Sequence, residues 1–231
     1  MADARKLAAA ALLRVEADGG YSNIVLNSAL NSSEISHADR ALASALFYGV
    51  LDRRITIDWL LSKHIKTPLR KVAPYTLTVL RCAVYQIAFM EKIPESAAVN
   101  EAVKLIKASG ERRNTAFVNA VLRNIIRTGT DLPYGNDVRT LSVRYSCPEW
   151  IVKSFINDYG EENAVELLSQ SLKTPPVTVR VNTVRTTPER LIKILEENNV
   201  KAAGTETEDA LTISITGDIT ALPPYKEGLF H

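Results

Sequence analysis

The segment Asn114–Arg127, NTAFVNAVLRNIIR, most narrows what this chain can become. Phe117, Val118, Val121, Leu122 and Ile125 recur at i, i+3, i+4 and i+7. That spacing predicts an amphipathic helix with one face in a core. At about 100° per residue, Asn119, Arg123 and Arg127 share another face within an arc of about 80°. Lys104, Lys107, Arg112 and Arg113 come just before, and only Glu111 opposes the positive charge between 104 and 127. A buried helix with a basic surface suits a polyanion, of which RNA is the usual one. The alternative is an ordinary solvated face.

Charge is uneven along the 231 residues. Residues 1–137 carry 18 basic and 13 acidic side chains, a net of +5, whereas residues 138–231 carry 10 and 13, a net of −3. Only the first part has an electrostatic case for nucleic acid, and a mild one. No apolar run approaches the ~18–20 residues of a membrane span, and Met1–Gly20 lacks a signal-peptide core. Cys82 and Cys147 stand apart, outside any CxxC or Cys/His spacing. They imply a reduced, cytoplasmic setting with neither disulfide framework nor metal site. His37, His64 and His231 have no carboxylate or cysteine grouping and are assigned no chemistry.

The first 128 residues read as helices joined by short turns, an all-α bundle. Asp3 is placed to cap a helix whose core face is Leu7, Ala8, Ala11, Leu12 and Val15. Ala38–Arg53 carries Leu42, Leu46 and Val50, with Ala41, Ala45 and Gly49 spaced to let a second helix approach closely. Pro74–Met90 buries Leu77, Leu80, Val84, Ile87 and Ala88. Residues 129–137 have the Gly, Pro and Asp content of a linker. Val138–Arg144 and Pro148–Leu172 are helical again. After Thr174-Pro175-Pro176 the period becomes two: VTVRVNTV and LTISIT read as strands flanking the helix ERLIKILEENN, a small β-α-β unit. The final GLFH shows no capping or turn chemistry. The expected fold class is mostly α: a helical bundle, further helices, then a small α+β domain over the rest of 138–231.

Five phrases then occur in order. They are Asp39-Arg40 through Tyr48-Gly49-Val50-Leu51, LRCAVYQ at 80–86, Pro94 through Glu101-Ala102-Val103, FVNAVLR at 117–123 and TVRVNT at 178–183. Together they resemble the N-terminal portion of the bacterial 16S ribosomal RNA methyltransferase B family, which modifies cytosine at C5. The resemblance implies a NusB-like, RNA-binding helical domain over residues 1–128 and, in 138–231, the segment preceding a catalytic domain. It further implies a parent enzyme with S-adenosylmethionine in that domain. The Gly-rich turn and the Pro-Cys and Thr-Cys motifs of that domain have no counterpart here. The chain therefore reads as a fragment, without methyl transfer or cofactor binding of its own. The other readings are a non-enzymatic NusB-type antitermination factor and a protein-interaction scaffold.

Several residues carry specific expectations. Arg5 and Lys6, at a helix start, and Arg112 and Arg113, in a turn before a helix, are placed for phosphate. Arg123 is either an RNA contact or part of a packing motif in which Asn119 caps a neighbouring backbone. Arg180, Asn182 and Arg185 alternate away from the valines and so share an exposed strand face, for RNA or for the following domain. Arg81 falls within an apolar stripe, paired with Asp39 or Glu101 or turned to RNA phosphate. Cys82 and Cys147 read as structural thiols.

Overall fold

The computed structural model describes residues 3–173, 175–215 and 219–231. Thr174 of the expected Thr-Pro-Pro turn and Thr216 of the expected last strand lie outside them. The chain divides into two compact units, one up to Leu172 and one from Lys173.

The first unit is helical throughout. Its helices are α1 (Ala4–Asp18), α2 (Ser22–Asn31), α3 (His37–Asp52), α4 (Arg54–Ser62), α5 (Pro74–Phe89), α6 (Glu95–Lys107), α7 (Thr115–Thr128), α8 (Val138–Tyr145), α9 (Glu149–Tyr159) and α10 (Glu161–Ser171). The Asp3 carboxylate caps α1, accepting from the Arg5 amide at 2.9 Å. Helix α5 lies at the centre, with ten of its residues buried and α1, α3, α4, α6 and α7 packed around it. Each neighbour covers one arc of α5 with an apolar stripe of its own.

Close approach of α3 to α5 rests on one glycine. A Cβ on Gly49 would stand 2.0 Å from the Tyr85 Cζ. Ala41 and Ala45, expected to share this role, are exposed. The face of α3 that is buried is instead Ala43, Leu46, Phe47 and Val50. Phe117 is a second correction, being 37 % exposed rather than in the core. It lies roughly 90° from the centre of the stripe formed by Val118, Val121, Leu122 and Ile125, beyond the reach of the core.

Residues 129–137, expected as a linker, do not separate the two units. Arg144 donates to the Pro133 carbonyl at 3.0 Å and sits over the Tyr134 ring. Helix α8 is bound to α4, because the Thr56 hydroxyl donates to the Val143 carbonyl at 2.6 Å. The Ile55 amide also donates to Ser146 Oγ at 3.1 Å. Ser146 takes a left-handed conformation, φ 51°, at the end of α8. Leu141, Val152 and Leu168 form a small core among α8, α9 and α10.

The second unit contains β1 (Val177–Arg180), α11 (Pro188–Glu197), β2 (Lys201–Gly204), β3 (Ala210–Ser214) and α12 (Pro223–Lys226). The strands are antiparallel in the order β1-β3-β2, with Val177 opposite Ile213 and Ala202 opposite Ile213 on the other side. The expected α+β unit is present with one strand more. Lys-Ala-Ala-Gly of β2 has no apolar alternation to announce it. Val179, Leu211 and Ile213 meet Leu191 and Leu195 of α11 in its core. The final residues are also built in. Phe230 is buried, Arg180 and His231 exchange backbone hydrogen bonds at 2.7 and 3.0 Å, and α12 turns the chain back.

Candidate nucleic-acid interface

Arg112 and Arg113 occupy a 3-10 turn leading into α7, and both are exposed. The nearest acid in sequence, Glu111, is turned away from them. Its carboxylate accepts from the Thr76 amide at 2.8 Å and from the Thr76 hydroxyl, at the first turn of α5. Asn114 completes the knot, donating to the Thr76 hydroxyl oxygen at 2.9 Å. Glu111 thus spends its charge on a helix N-terminus, where an anion is favoured. Among the described residues no ion pair holds Arg112 or Arg113.

Arg5 and Lys6 point differently. Arg5 is half-buried, and its Nε donates at 2.8 Å to Oε1 of the buried Gln86. Gln86 in turn donates to the Cys82 carbonyl at 2.9 Å, which fixes its amide. Lys6 is exposed beside Tyr75 and Ser109 in a groove of 230 Å³. That groove sets the first turns of α1 beside Ser109, which lies just past the end of α6 and three residues before Arg112. Burial raises the pKa of the Tyr75 hydroxyl, and Cys82, Asp3 and Glu111 add to the effect. Lys6 therefore shares a groove with Ser109, close in sequence to the Arg112–Arg113 turn.

Arg123 faces a separate groove of 500 Å³, lined by His64, Phe117, Ala120, Val121, Asn124 and Arg127 beside it. Asn119 does not cap a neighbouring backbone here, but accepts from Arg123 Nε at 3.1 Å. Asn124 Oδ1 likewise accepts from Arg127 Nη2 at 2.6 Å, while its Nδ2 meets His64 Nδ1 at 2.9 Å. Burial, with Lys63 nearby, lowers the pKa of His64. Sequence reasoning left His64 and Asn124 out of this site. Arg127 was visible on the shared face, but nothing in the sequence brings α4 alongside.

Arg180, Asn182 and Arg185 do not form the expected common face. The strand stops at Arg180, and residues 182–186 turn, with the Arg185 and Thr186 amides donating to the Asn182 carbonyl. Arg180 is exposed. Asn182 is committed, its Nδ2 donating to the Gly228 carbonyl at 2.8 Å and its Oδ1 accepting from the Val184 amide at 3.3 Å. Arg185 Nη1 donates to the Glu227 carbonyl. These two side chains latch the C-terminal segment to the strand.

Arg81 is buried, as expected, but its partners are others. Nε and Nη2 grip Asp58 at 2.7 and 2.8 Å, and Nη1 reaches Glu16, which also binds Arg54 at 3.1 Å. Burial alone would lower its pKa, and the two carboxylates outweigh that and raise it. The Cys82 thiol is pushed up to about 12, first by burial, and burial also raises Cys147. Neither is a thiolate at neutral pH.

The sequence profile of the NusB family matches residues 2–127, over half of the chain. The chain belongs to the NusB family. Later in the sequence, the Methyltr_RsmF/B-like, ferredoxin-like domain matches residues 147–220. The chain is 34 % identical to a probable ribosomal RNA small subunit methyltransferase B of Bacillus subtilis (strain 168) over 97 % of its own length and 50 % of the relative's. It thus spans about half the length of the curated relatives it matches. In fold it is similar to the crystal structure of PH0851, with a TM-score of 0.69 at 17 % identity, covering 100 % of this chain and 53 % of that one. The NusB bundle alone is similar to a structure of antitermination factors NusB and NusE in complex with dsRNA. That TM-score is 0.51 at 20 % identity, over 55 % of this chain and 95 % of the other. No described helix is long and apolar enough to cross a membrane.

Proposed function

We propose that this chain is the RNA-recognition part of a cytoplasmic methyltransferase acting on cytosine C5 of 16S ribosomal RNA, and that it positions the RNA for a catalytic domain. One observation carries the reading: a NusB bundle and an RsmF/B-like ferredoxin-like domain stand in one chain, at 2–127 and 147–220. Antitermination factors of the NusB type account for the first match and not for the second.

The residues present do not fit S-adenosylmethionine or the methyl-transfer chemistry. The described sheet is antiparallel and three-stranded, without a strand, Gly-rich turn and helix in succession. Both thiols are held above their ordinary pKa by burial. Cofactor and catalysis are therefore assigned to the domain that the longer relatives carry, and this chain is assigned RNA contact through Arg5, Lys6, Arg112, Arg113 and Arg123. Arg180 adds a second, weaker patch, with Asn182 and Arg185 shaping the turn beside it.

Titration of 16S rRNA fragments at several salt concentrations tests this. If four phosphates are neutralised, log K should fall with log salt at a slope of about −3, from roughly 0.7 per contact on single strands. Replacing Arg112 and Arg113 by Ala should weaken binding across sequences and flatten the slope by about 1–1.5 units. Absence of salt-dependent binding would leave a protein-interaction scaffold instead.

A further inference from the structure

We infer that the groove between the end of α4 and α7 is a polynucleotide-backbone site in which Arg123 and Arg127 take successive phosphates and Asn119 and Asn124 are positioning residues. The inference deepens the RNA-binding reading and rests on it.

The arginines of the first unit differ in how they are held. Arg14, Arg54 and Arg81 are paired with carboxylates, at Asp18, Glu16, and Asp58 with Glu16 respectively. Arg123 and Arg127 are held by side-chain amide oxygens, at 3.1 and 2.6 Å. A carboxylate partner orients a guanidinium and cancels its charge. An amide orients it and leaves the charge whole. Each guanidinium uses a single nitrogen for its anchor, Nε in Arg123 and Nη2 in Arg127, so the remaining N–H groups of the planar fork stay available to an anion.

Placement completes the case. Residues 123 and 127 are one helical turn apart, about 5–6 Å between Cβ atoms, on the solvent side of α7. Both line the same 500 Å³ groove, whose lining includes no carboxylate. The Asn124 amide is itself oriented from α4's side. Its Nδ2 donates to His64 Nδ1, which assigns the ring proton to Nε2, facing Thr128 Oγ1 at 3.3 Å. Two oriented, uncancelled cations at one-turn spacing in an open trough match the repeating charge of a nucleic-acid strand.

The test compares the whole chain with three double variants, reading the slope of log K against log salt on oligouridine and on 16S rRNA fragments. Arg123→Ala with Arg127→Ala should flatten the slope by about 1.4 units, two contacts at roughly 0.7 each. Asn119→Asp with Asn124→Asp keeps both arginines held but cancels them, and should flatten it by a similar amount. Circular dichroism melting is recorded on every variant, and Asn119→Asp alone, expected to lose about half as much, serves if the pair unfolds. Ala41→Asp with Ala45→Asp places the same added charge on the exposed face of α3 and should leave the slope near that of the parent chain. The inference is overturned if the α7 variants keep the parent slope, or if the α3 variant loses as much as the asparagine pair. If the parent chain binds no RNA, the proposed function falls too; if it binds and only the α7 variants are silent, this inference falls alone.

Discussion

Arg81 is 5 % exposed among the apolar side chains of α5, and it stays there because Asp58 holds it bidentately while Glu16 takes the third nitrogen. Removing the guanidinium leaves the half-buried Asp58 carboxylate without a cation and Glu16 with Arg54 alone. Arg81→Met should lower stability by about 3 kcal/mol, at the low end of the range for a broken buried pair, since both acids retain some contact with water. Urea unfolding measures it, and unchanged stability would refute the account. The sequence revealed that Arg81 sits in an apolar stripe and needs an acid, because periodicity states which way a helical residue points. It did not reveal which acid. Asp39 accepts from the Ser36 hydroxyl at the start of α3, and Glu101 is taken by Lys104 at 2.6 Å. Choosing Asp58 and Glu16 requires the packing of α4 and α1 on α5, which no local pattern encodes.

Helix ends divide in the same way. Asp3, Asp137 and Thr187 cap the helices they immediately precede, and such caps are legible because acceptor and amide lie within three residues. Helices α4 and α5 have no side-chain cap of their own and receive one from afar. Ser146 serves the Ile55 amide from 91 residues away, and Glu111 serves Thr76 from 35. Glu111→Ala should therefore destabilise the chain by about 1–2 kcal/mol, a cap's worth, without disturbing α7, and thermal melting with far-ultraviolet dichroism would show it. A variant melting like the parent would mean that water replaces the carboxylate at no cost. The same distance explains why Glu111 looked, in the sequence, like the neutralising partner of Arg112 and Arg113. The strand β2 escaped for a different reason, being four residues of Lys, Ala and Gly with too little apolar contrast to mark a face.

At the scale of the whole molecule, composition placed a boundary at 129–137, whereas contacts divide the chain after Leu172. Glycine, proline and aspartate mark a stretch without regular structure, and they are silent on whether the next helix packs back. Here α8 does, through Thr56 and Ser146. A chain ending at 172 should keep the melting temperature of the first unit, while one ending at 128 should melt lower by roughly 4–8 °C, for about 2 kcal/mol of lost hydrogen bonding and capping. Calorimetry of the two truncations decides it, and equal melting would restore the boundary at 129–137. The amide-held arginines have a consequence for comparing relatives of this chain. Counting basic residues would misjudge them, because the informative positions are 86, 119 and 124, where Gln86, Asn119 and Asn124 hold Arg5, Arg123 and Arg127. A relative with every arginine retained but aspartate or glutamate at these anchors would have a muted surface, and the muting would be invisible in any alignment scored on the arginines themselves.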